Sequence, residues 1–420
     1  MTAHRLRDVA QVLTSNVDKV IDPNEHPVRL CNYVDVYKNN VICNDMPFNP
    51  GSATAAEIKK FRLRVDDVII TKDSETSDDI GVPALVRSTA DDLVCGYHLS
   101  ILRADRRRMI GPFLYWHLLS KRSQEDFGNA ANGVTRFGLT LGGIKGIPIN
   151  VPNLATQRQI ADFLDRETAR IDLLIEKKQR LVELLGEKAK SVNEFFFLNS
   201  EPIGVQPLHR LYRVVTGKTP SRNEEDNFSD VEGLPWATPA NLDLLSPVET
   251  TKEFLTEKGC EGQPIVDAGT VLLNGIGASV GKIGIAGTRL SFNQQIHALI
   301  AKKRVLGDRF LFFQLLTLKE QLVLLANSTT IPILNAERLG RLELRIYAPE
   351  DQEQHCANMD TILQHEGMTA QKINASIDRL KEYRSALITA AVTGQIDVEA
   401  YAKSGTTDRR LDAIQEEMEA

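Results

Sequence analysis

Apolar residues recur at heptad spacing along Thr156–Phe197, where Gly186 is the single glycine and no proline occurs. This spacing places them on one face of a helix, while Glu, Lys and Arg fill the other faces. About forty residues at 1.5 Å each give a rod of roughly 60 Å, which is long for one globular domain. The sequence therefore predicts a long amphipathic helix that buries its stripe against a partner surface. The stripe comprises Ile171, Leu174, Lys178, Leu181, Leu185, Lys188, Val192 and Phe195.

The second half of the chain repeats the first. Pro152 and Gln157 correspond to Pro349 and Gln354 at one constant offset, and the same offset relates the apolar segments 113–119 and 310–316. Because the matches extend beyond the helical segments, we interpret the chain as a tandem duplication and not as a short-repeat solenoid. A second long helix is predicted from about Asp351 to Val392. The residues predicted to pack the two long helices together are Ile171, Leu174, Leu181, Leu185, Val192, Ile373, Leu380, Tyr383 and Leu387.

The segment that precedes each long helix alternates short apolar runs with turn clusters. Val68–Ile70 and Val271–Leu273 predict strands, and Pro112–Lys121 has helical spacing with proline in the first turn. The sequence thus predicts a mixed α+β fold with two similar domains. The predicted boundaries are 1–151 for the first domain, 152–198 for the first long helix, 199–348 for the second domain, 349–396 for the second long helix and 397–420 for a polar, frayed tail.

Composition excludes some classes of protein and leaves others open. The 420 residues carry a net charge of −6, which counts against a simple nucleic-acid-binding protein, although local patches can still bind phosphates. The five cysteines are scattered and lack the paired spacing of a zinc site or a disulfide framework, so they fit a reducing compartment. No apolar run is long enough to span a membrane. We therefore expect a cytoplasmic protein.

One glycine-rich segment, Gly275–Gly284, follows a predicted strand and invites comparison with a phosphate-binding loop. Its glycine spacing is one residue too short, and Lys282 is followed by Ile where Ser or Thr would hold the metal. We interpret the segment as a glycine-rich β-turn. No zinc-ligand spacing and no nucleophile elbow occur elsewhere. The sequence therefore predicts a non-catalytic chain that binds no metal or cofactor itself.

Polar, partly basic loops occupy equivalent places in the two domains, and Arg103–Arg108 is one of them. Lys, Arg, Asn, Gln, Ser and Thr are the side chains that reach phosphates and base edges in DNA. Two such domains held by rigid helices are suited to two separated stretches of one duplex. The predicted DNA-binding residues are Lys38, Asn39, Lys72, Ser74, Thr135 and Arg136 in the first domain, and Lys218, Ser221, Arg222, Ser279, Lys282, Arg289, Asn293, Thr329 and Thr330 in the second.

The residues alone leave two other interpretations open. A coiled-coil scaffold whose domains bind protein is favoured by the low basicity. An enzyme that binds a nucleotide at Gly275–Gly284 is the third interpretation, and nucleotide protection against thermal unfolding would test it.

The spacing of Pro152 and Gln157, with the helix that follows, resembles the central conserved region of type I restriction–modification specificity subunits. The distal region of that family is similar to Pro349, Gln354 and the ending Glu382–Gly394. Three further segments resemble parts of its target-recognition domains, namely Gly281–Gly284, Asn293–Gln295 and Ser328–Pro332.

This resemblance implies two target-recognition domains separated by two long helices that form an antiparallel coiled coil. Each domain would read one half of a bipartite, asymmetric site in double-stranded DNA, and the helices would set the spacer. Two modification (methyltransferase) subunits would dock on the helices, and restriction/translocase subunits would join through the complex. S-adenosylmethionine, ATP and Mg would then be bound by those partner subunits.

Overall fold

The computed structural model describes residues 2–133, 136–303, 305–326 and 331–419. The chain forms two compact units, one from Met1–Lys177 with Ala375–Ala420 and the other from Lys178–Asn374. Each unit contains one mixed domain and one part of each of the two long helices. Among the described residues, no helix has both the length and the apolar character needed to cross a membrane.

The first domain is built from short strands and helices in the order predicted for a mixed domain. Val68–Ile70 and the segment from Pro112 are strand and helix respectively, as the sequence predicted. The elements up to the first long helix are β1 (Thr2–Arg5), β2 (Ala10–Thr14), β3 (His26–Cys31), α1 (Tyr33–Lys38), β4 (Val41–Ile42), β5 (Asn49–Ala53), α2 (Ala55–Phe61), β6 (Val68–Thr71), β7 (Asp73–Ser74), β8 (Pro83–Val86), β9 (Leu93–Cys95), β10 (Leu99–Ala104), α3 (Gly111–Leu119), α4 (Lys121–Ala130), β11 (Ala131–Asn132), β12 (Phe137–Leu139), α5 (Leu141–Gly146), β13 (Pro148–Val151) and α6 (Leu154–Asn199).

The central sheet of this domain has the strand order β2-β10-β6-β8-β4. Strand β10 is antiparallel to both of its neighbours, β2 and β6. Side chains alternate between the two faces of a strand, so Val68 and Ile70 enter one hydrophobic cluster while Ile69 enters another. The sheet is therefore covered on both faces, which explains why the run that predicted β6 is continuously apolar.

The second domain repeats this plan. Its main sheet has the order β15-β23-β20-β21, and β23 is antiparallel to β15 and β20. Val271 and Leu273 again face one cluster and Leu272 the other. The elements are β14 (Gly204–Pro207), α7 (Leu208–Leu211), β15 (Tyr212–Thr216), β16 (Phe228–Ser229), β17 (Leu234–Ala237), β18 (Phe254–Leu255), β19 (Ile265–Val266), β20 (Val271–Asn274), β21 (Ile283–Ile285), β22 (Leu290–Phe292), β23 (Ile296–Ala301), α8 (Asp308–Thr317), α9 (Lys319–Leu325), α10 (Ala336–Gly340), β24 (Glu343–Ile346), α11 (Pro349–Thr393), α12 (Val398–Lys403) and α13 (Thr406–Glu419).

Helices α6 and α11 pair in an antiparallel sense. In the first unit Arg384 donates to Asp172 at 2.8 and 3.1 Å. In the second unit Lys188 Nζ donates to Glu366 at 2.6 Å, and His355 Nε2 lies 2.8 Å from Asn193 Oδ1. Later residues of α6 thus contact earlier residues of α11, as in an antiparallel helix pair.

The buried stripe of α6 differs from the prediction in its second half. Ile171 is buried, Leu174 and Leu185 are half-buried, and on α11 the residues Ile373, Leu380 and Leu387 are buried while Tyr383 is half-buried. Leu181 and Val192 are instead 42% and 40% exposed, so their prediction as packing residues was wrong. A heptad stripe drifts by about 20° per heptad on a straight helix. The buried face therefore moves to Ala189, Asn193 and Phe197.

The C-terminal segment is folded and not frayed, contrary to the prediction of a polar tail. Residues 398–419 form α12 and α13. Arg170 donates to Asp408 at 2.5 Å, and the rings of Phe163 and Tyr401 meet edge to face. The sequence predicts a tail here because the few apolar residues of the segment give no long periodic run, whereas in the fold Leu411 joins the hydrophobic cluster of the first unit.

Candidate nucleic-acid interface

Three strand termini meet at one end of the first domain's central sheet. Strand β2 ends at Thr14, β6 ends at Thr71 and β10 begins at Leu99. Because β10 is antiparallel to both neighbours, these termini lie at the same end. We call the loops that continue from them the loop end of the first domain.

A cation, an aromatic ring and a histidine are fixed together at this loop end. Lys72 Nζ lies 4.8 Å from the ring centroid of Tyr97, a cation–π distance. His98 Nδ1 is 2.5 Å from Asp73 Oδ2, which ties the loop before β10 to the loop after β6. The Tyr97 side chain is 47% exposed. An exposed ring held beside a lysine can contact both a base and a phosphate.

Arg136 joins the same loop end through strand pairing. Phe137 in β12 pairs with Ser74 in β7, so Arg136, which is exposed, lies beside the loop that follows β6. Ser74 itself is buried and accepts from the Thr76 amide at 3.3 Å, which gives it a role in shaping the loop. Thr135 lies outside the described residues.

Lys38 and Asn39 lie at the end of α1, next to the same loop. Tyr37 Oη donates to Asp79 Oδ2 at 2.6 Å, and this contact raises the pKa of the Tyr37 hydroxyl. Lys38 is exposed, and Asn39 caps its own helix by donating to the Asp35 carbonyl at 2.8 Å. Of these two residues, Lys38 therefore has the side chain better placed to meet a ligand.

The loop after β6 is more acidic than a simple phosphate-binding surface. It carries carboxylates at Asp73, Glu75, Asp78 and Asp79. Carboxylates in a major groove accept hydrogen bonds from the exocyclic amino group of cytosine. This loop therefore presents hydrogen-bond acceptors as well as donors.

The second domain has an equivalent loop end. Strand β15 ends at Thr216, β20 ends at Asn274 and β23 begins at Ile296, and the antiparallel pairing brings these termini together. Gly217 N donates to the Ile296 carbonyl at 3.0 Å, and Gly275 N donates to the Gln295 carbonyl at 2.7 Å. These bonds fix the three loops against one another.

Three of the predicted residues, Lys218, Ser279 and Asn293, gather at this loop end. Lys218 is exposed and Ser279 Oγ accepts from Asn274 Nδ2 at 2.8 Å. Asn293 is buried. Its Nδ2 donates to Gln295 Oε1 and its Oδ1 accepts from Gln295 N, both at 3.1 Å, so Asn293 shapes the loop. Between them, the hydroxyl of Thr219 donates to Gln294 Oε1, and both side chains are exposed.

Lys282 also lies in the loop after β20, where Asn274 N donates to its carbonyl at 2.8 Å, but its side chain is engaged within the domain. Lys282 Nζ donates to the Pro239 carbonyl at 3.1 Å and lines a cleft of about 600 Å³ with Glu183 and Glu187. Arg289 precedes β22 while Asn293 follows it, so these two lie at opposite ends of that strand. Thr329 and Thr330 lie outside the described residues.

Arg222 is held by its own domain. It donates to both carboxylate oxygens of Glu253 at 2.5 and 2.9 Å, and its guanidinium stacks 4.4 Å from the Phe228 ring centroid. The hydrogen bond from Arg222 also lowers the pKa of the Glu253 carboxyl. The neighbouring Ser221 is exposed and offers its carbonyl to Asn227. The assignment of all these residues to DNA stays a prediction.

Four residues at the loop ends escaped the sequence prediction as candidate contacts: Tyr97, His98, Thr219 and Gln294. Tyr97 and His98 precede β10, which begins at Leu99, and they belong to the turn before it. The sequence feature that could have identified them is Gly96, because it precedes a turn in which His98 adopts a left-handed φ of 70°. Thr219 and Gln294 lie in polar segments of the sequence, but only the fold shows that their side chains contact each other.

The glycine-rich segment that resembled a phosphate loop joins two strands, β20 and β21, in a hairpin. Gly277 and Gly281 adopt φ of 88° and 80°, which a side chain would strain. A phosphate-binding loop leads from a strand into a helix, so this geometry does not support a nucleotide site. Across the described ranges, no three His, Cys, Asp or Glu side chains are grouped as metal ligands would be.

Two similar domains, each with a polar loop end, and two long paired helices define a duplicated recognition protein. The chain belongs to the family described as "Type I restriction modification DNA specificity domain", whose model matches residues 5–183 and again residues 207–379. This confirms the family to which the sequence was assigned by resemblance.

Solved structures align with most of this chain, and one of them aligns closely enough to share its fold. A chain described under "Structural basis underlying complex assembly and conformational transition of the type I R-M system" aligns with a TM-score of 0.53 at 18% identity, over 93% of this chain and 97% of that chain. The S subunit from M. genitalium aligns at 15% identity with a TM-score of 0.39, over 93% and 96% of the two chains. The HsdS subunit from Thermoanaerobacter tengcongensis aligns at 17% identity with a TM-score of 0.38, over 94% and 97%.

Proposed function

We propose that this protein is the DNA-recognition subunit of a type I restriction–modification complex and performs no chemistry itself. The observation that carries the proposal is the double match to the specificity-domain family, which coincides with two domains that present equivalent loop ends. Each loop end reads one half of a bipartite, asymmetric site. Adenine methylation with S-adenosylmethionine, and ATP- and Mg-dependent restriction, belong to partner subunits.

The paired helices set the distance between the two half-sites. Helix α6 has 46 residues, which at 1.5 Å per residue make a rod of about 69 Å. A stiff connector avoids the entropy cost of a flexible one and selects one spacing. The spacer of the recognised site is therefore a property of α6 and α11, independent of the bases that the domains read.

An apolar stripe on α6 supports docking of a methyltransferase subunit. Leu181, Leu184, Val192 and Phe195 are 42%, 45%, 40% and 68% exposed. Residues 181 and 192, and likewise 184 and 195, are separated by three helical turns, so the four side chains share one face. Several large exposed apolar side chains on one helix face are a feature of protein interfaces.

The test is to reconstitute the protein with its methyltransferase subunits and exchange residues 1–151 for the same domain of another family member. We expect salt-dependent, specific duplex binding, and a change in one half-site of the methylated sequence only. Changes in both halves would reject modular reading. A complex that shows no salt-dependent duplex binding would favour the protein-binding scaffold instead.

A further inference from the structure

A cleft of about 660 Å³ opens at the end of the first domain's sheet opposite to its loop end, where β6 begins and β10 ends. The run Arg103–Arg108, noted as basic in the sequence, contributes to it. Four arginines line the cleft: Arg64, Arg103, Arg106 and Arg158. This concentration of positive charge stands out in a chain whose net charge is −6.

The two carboxylates of the cleft pair with only two of these four arginines. Asp67 is 2% exposed and is fully engaged, because it accepts from Arg103 at 2.7 and 2.8 Å and from the Arg64 amide at 2.8 Å. Asp66 lies 3.7 Å from Arg106. The exposed guanidinium groups of Arg64 and Arg158 make no hydrogen bond or ion pair with any residue that the structure describes. The cleft thus presents two guanidinium groups that are available to an anion.

The N-terminus of α3 adds partial positive charge to the same cleft. Ile110, Gly111 and Pro112 line it, and no side chain caps the helix. A Cβ on Gly111 would lie 2.0 Å from the Asp66 carbonyl oxygen, so this position admits no side chain that could fill the helix end. The first turn of α3 therefore faces the cleft with its backbone groups.

The second domain differs in charge at two equivalent positions, although Lys303 still stands at the place of Arg106. There α8 begins with Asp308, an acidic residue in its own first turn, where the first domain has Gly111. Glu353 follows the buried Gln352, whereas Arg158 follows the buried Gln157. The second domain thus has a carboxylate at the start of its apolar helix and another in place of Arg158, so the full set of cleft arginines occurs in the first domain.

We propose that this cleft binds a phosphate of the DNA backbone, an inference that rests on the proposed function. Arginine forks and helix N-termini are the groups that bind phosphate in proteins. The six residues of β10 separate the cleft from the loop end by roughly 17–20 Å, which is about half a turn of duplex. One duplex can therefore place bases at the loop end and a phosphate in the cleft.

The test is the double variant Arg64→Gln/Arg158→Gln in the complex reconstituted with methyltransferase subunits. Both side chains are exposed, so the domain should fold normally. We expect the slope of log K against log salt concentration to fall by roughly one, since one neutralised phosphate contributes about 0.9. The ratio of specific to non-specific affinity should stay unchanged, because phosphate contacts carry no sequence information.

The matched control is Lys19→Gln/Lys59→Gln, which removes two exposed positive charges from the same domain and should leave the salt slope as in the wild type. A wild-type slope in the arginine variant, with normal assembly, would overturn the proposal. Loss of assembly with the methyltransferase would also overturn it and would identify an acidic protein surface as the occupant. If the wild-type complex itself binds no specific duplex, the proposed function fails, and not this site alone.

Discussion

Gln157 and Gln352 make the same three hydrogen bonds in the two halves of the chain. Gln157 accepts from the Ile110 amide at 2.9 Å and donates to the carbonyls of Arg108 and Pro152 at 2.8 and 2.9 Å. Gln352 accepts from Gly307 N at 3.2 Å and donates to Val305 and Tyr347 at 3.1 and 2.9 Å. Each glutamine therefore ties the first turn of a long helix to the loop that precedes the domain's apolar helix.

This relationship corrects the alignment of the repeats. The constant offset had matched Gln157 with Gln354, but Gln354 is exposed and donates to Asn358 on its own helix at 3.0 Å. The second half is two residues shorter between the apolar helix and the long helix. A constant offset cannot detect such a deletion, whereas the hydrogen bonds identify the true counterpart.

Substitution of either buried glutamine should loosen the junction between a domain and its helix. Gln157→Ala and Gln352→Ala each leave one amide and two carbonyls without their partner, and we expect a loss of roughly 2–4 kcal/mol in unfolding free energy. Gln354→Ala, on the exposed side, should change it by less than about 0.5 kcal/mol. Denaturant unfolding of the three variants measures the difference, and equal effects at 352 and 354 would restore the original alignment.

The sequence predicts the duplication, the strands β6 and β20, and both long helices, because these depend on local periodicity. It did not predict the register of α6 against α11, since pairing is decided by contacts between residues far apart in the chain. Lys188 illustrates the difference. It is a charged residue at a position of the apolar stripe, and only the fold shows that its partner is Glu366. The loop ends were predicted as segments, but their contacts, such as Thr219 with Gln294, depend on strand order.

The pair formed by Lys188 and Glu366 should stabilise the helix register. Glu366 is 2% exposed, so Lys188→Met leaves a buried carboxylate without its cation, at a cost of about 1–3 kcal/mol. The double variant Lys188→Met/Glu366→Leu should recover much of this loss. Lys190→Met, on an exposed position of the same helix, is the control. Thermal unfolding that ranks the single and double variants equally would contradict the role of the pair.

Three buried histidines should make stability depend on pH; burial lowers the pKa of His297, and the shifts are larger for the other two. Burial lowers the pKa of His117 and of His355 to about 4, while the unfolded chain keeps a value near 6.5. Their contribution is complete above about pH 6.5 and declines as the pH falls toward 4, because only the unfolded state then takes up the proton. At pH 5 each of these two histidines should lower the free energy of unfolding by about 2 kcal/mol relative to its value above pH 6.5.

Thermal unfolding between pH 7.5 and 5 measures this effect. His355→Gln keeps a donor for Asn193, so it should flatten the decline even if the variant is less stable at pH 7.5. His26→Gln, at an exposed position, should leave the pH profile unchanged. A His355 variant with the wild-type slope would exclude this histidine as the cause.

Lengthening both long helices together should lengthen the spacer between the half-sites. Insertions of one helical turn after Lys177 and after Asn374, where the boundary between the units crosses each helix, preserve the pairs on either side. Four residues add about 6 Å, or roughly two base pairs at 3.4 Å each. Methylome sequencing should show unchanged half-sites and a longer spacer. An insertion in α6 alone should instead break the register and lower stability, and an unchanged spacer in the matched variant would argue against the ruler.

Gln294 should contribute to the reading of one half-site only. Its side chain is exposed at the second loop end and is oriented by Thr219, and an amide can pair with two atoms of adenine in the major groove. We expect Gln294→Ala to relax the methylated sequence at one position of one half-site, with a loss of about 1–3 kcal/mol in discrimination. Lys218→Ala, which removes a charge from the same loop end, should weaken all sequences alike and reduce the salt slope by about 1. Competition binding with single-base variants of the site separates the two effects. Relaxation in both half-sites would show that Gln294 acts through the fold and not through a base.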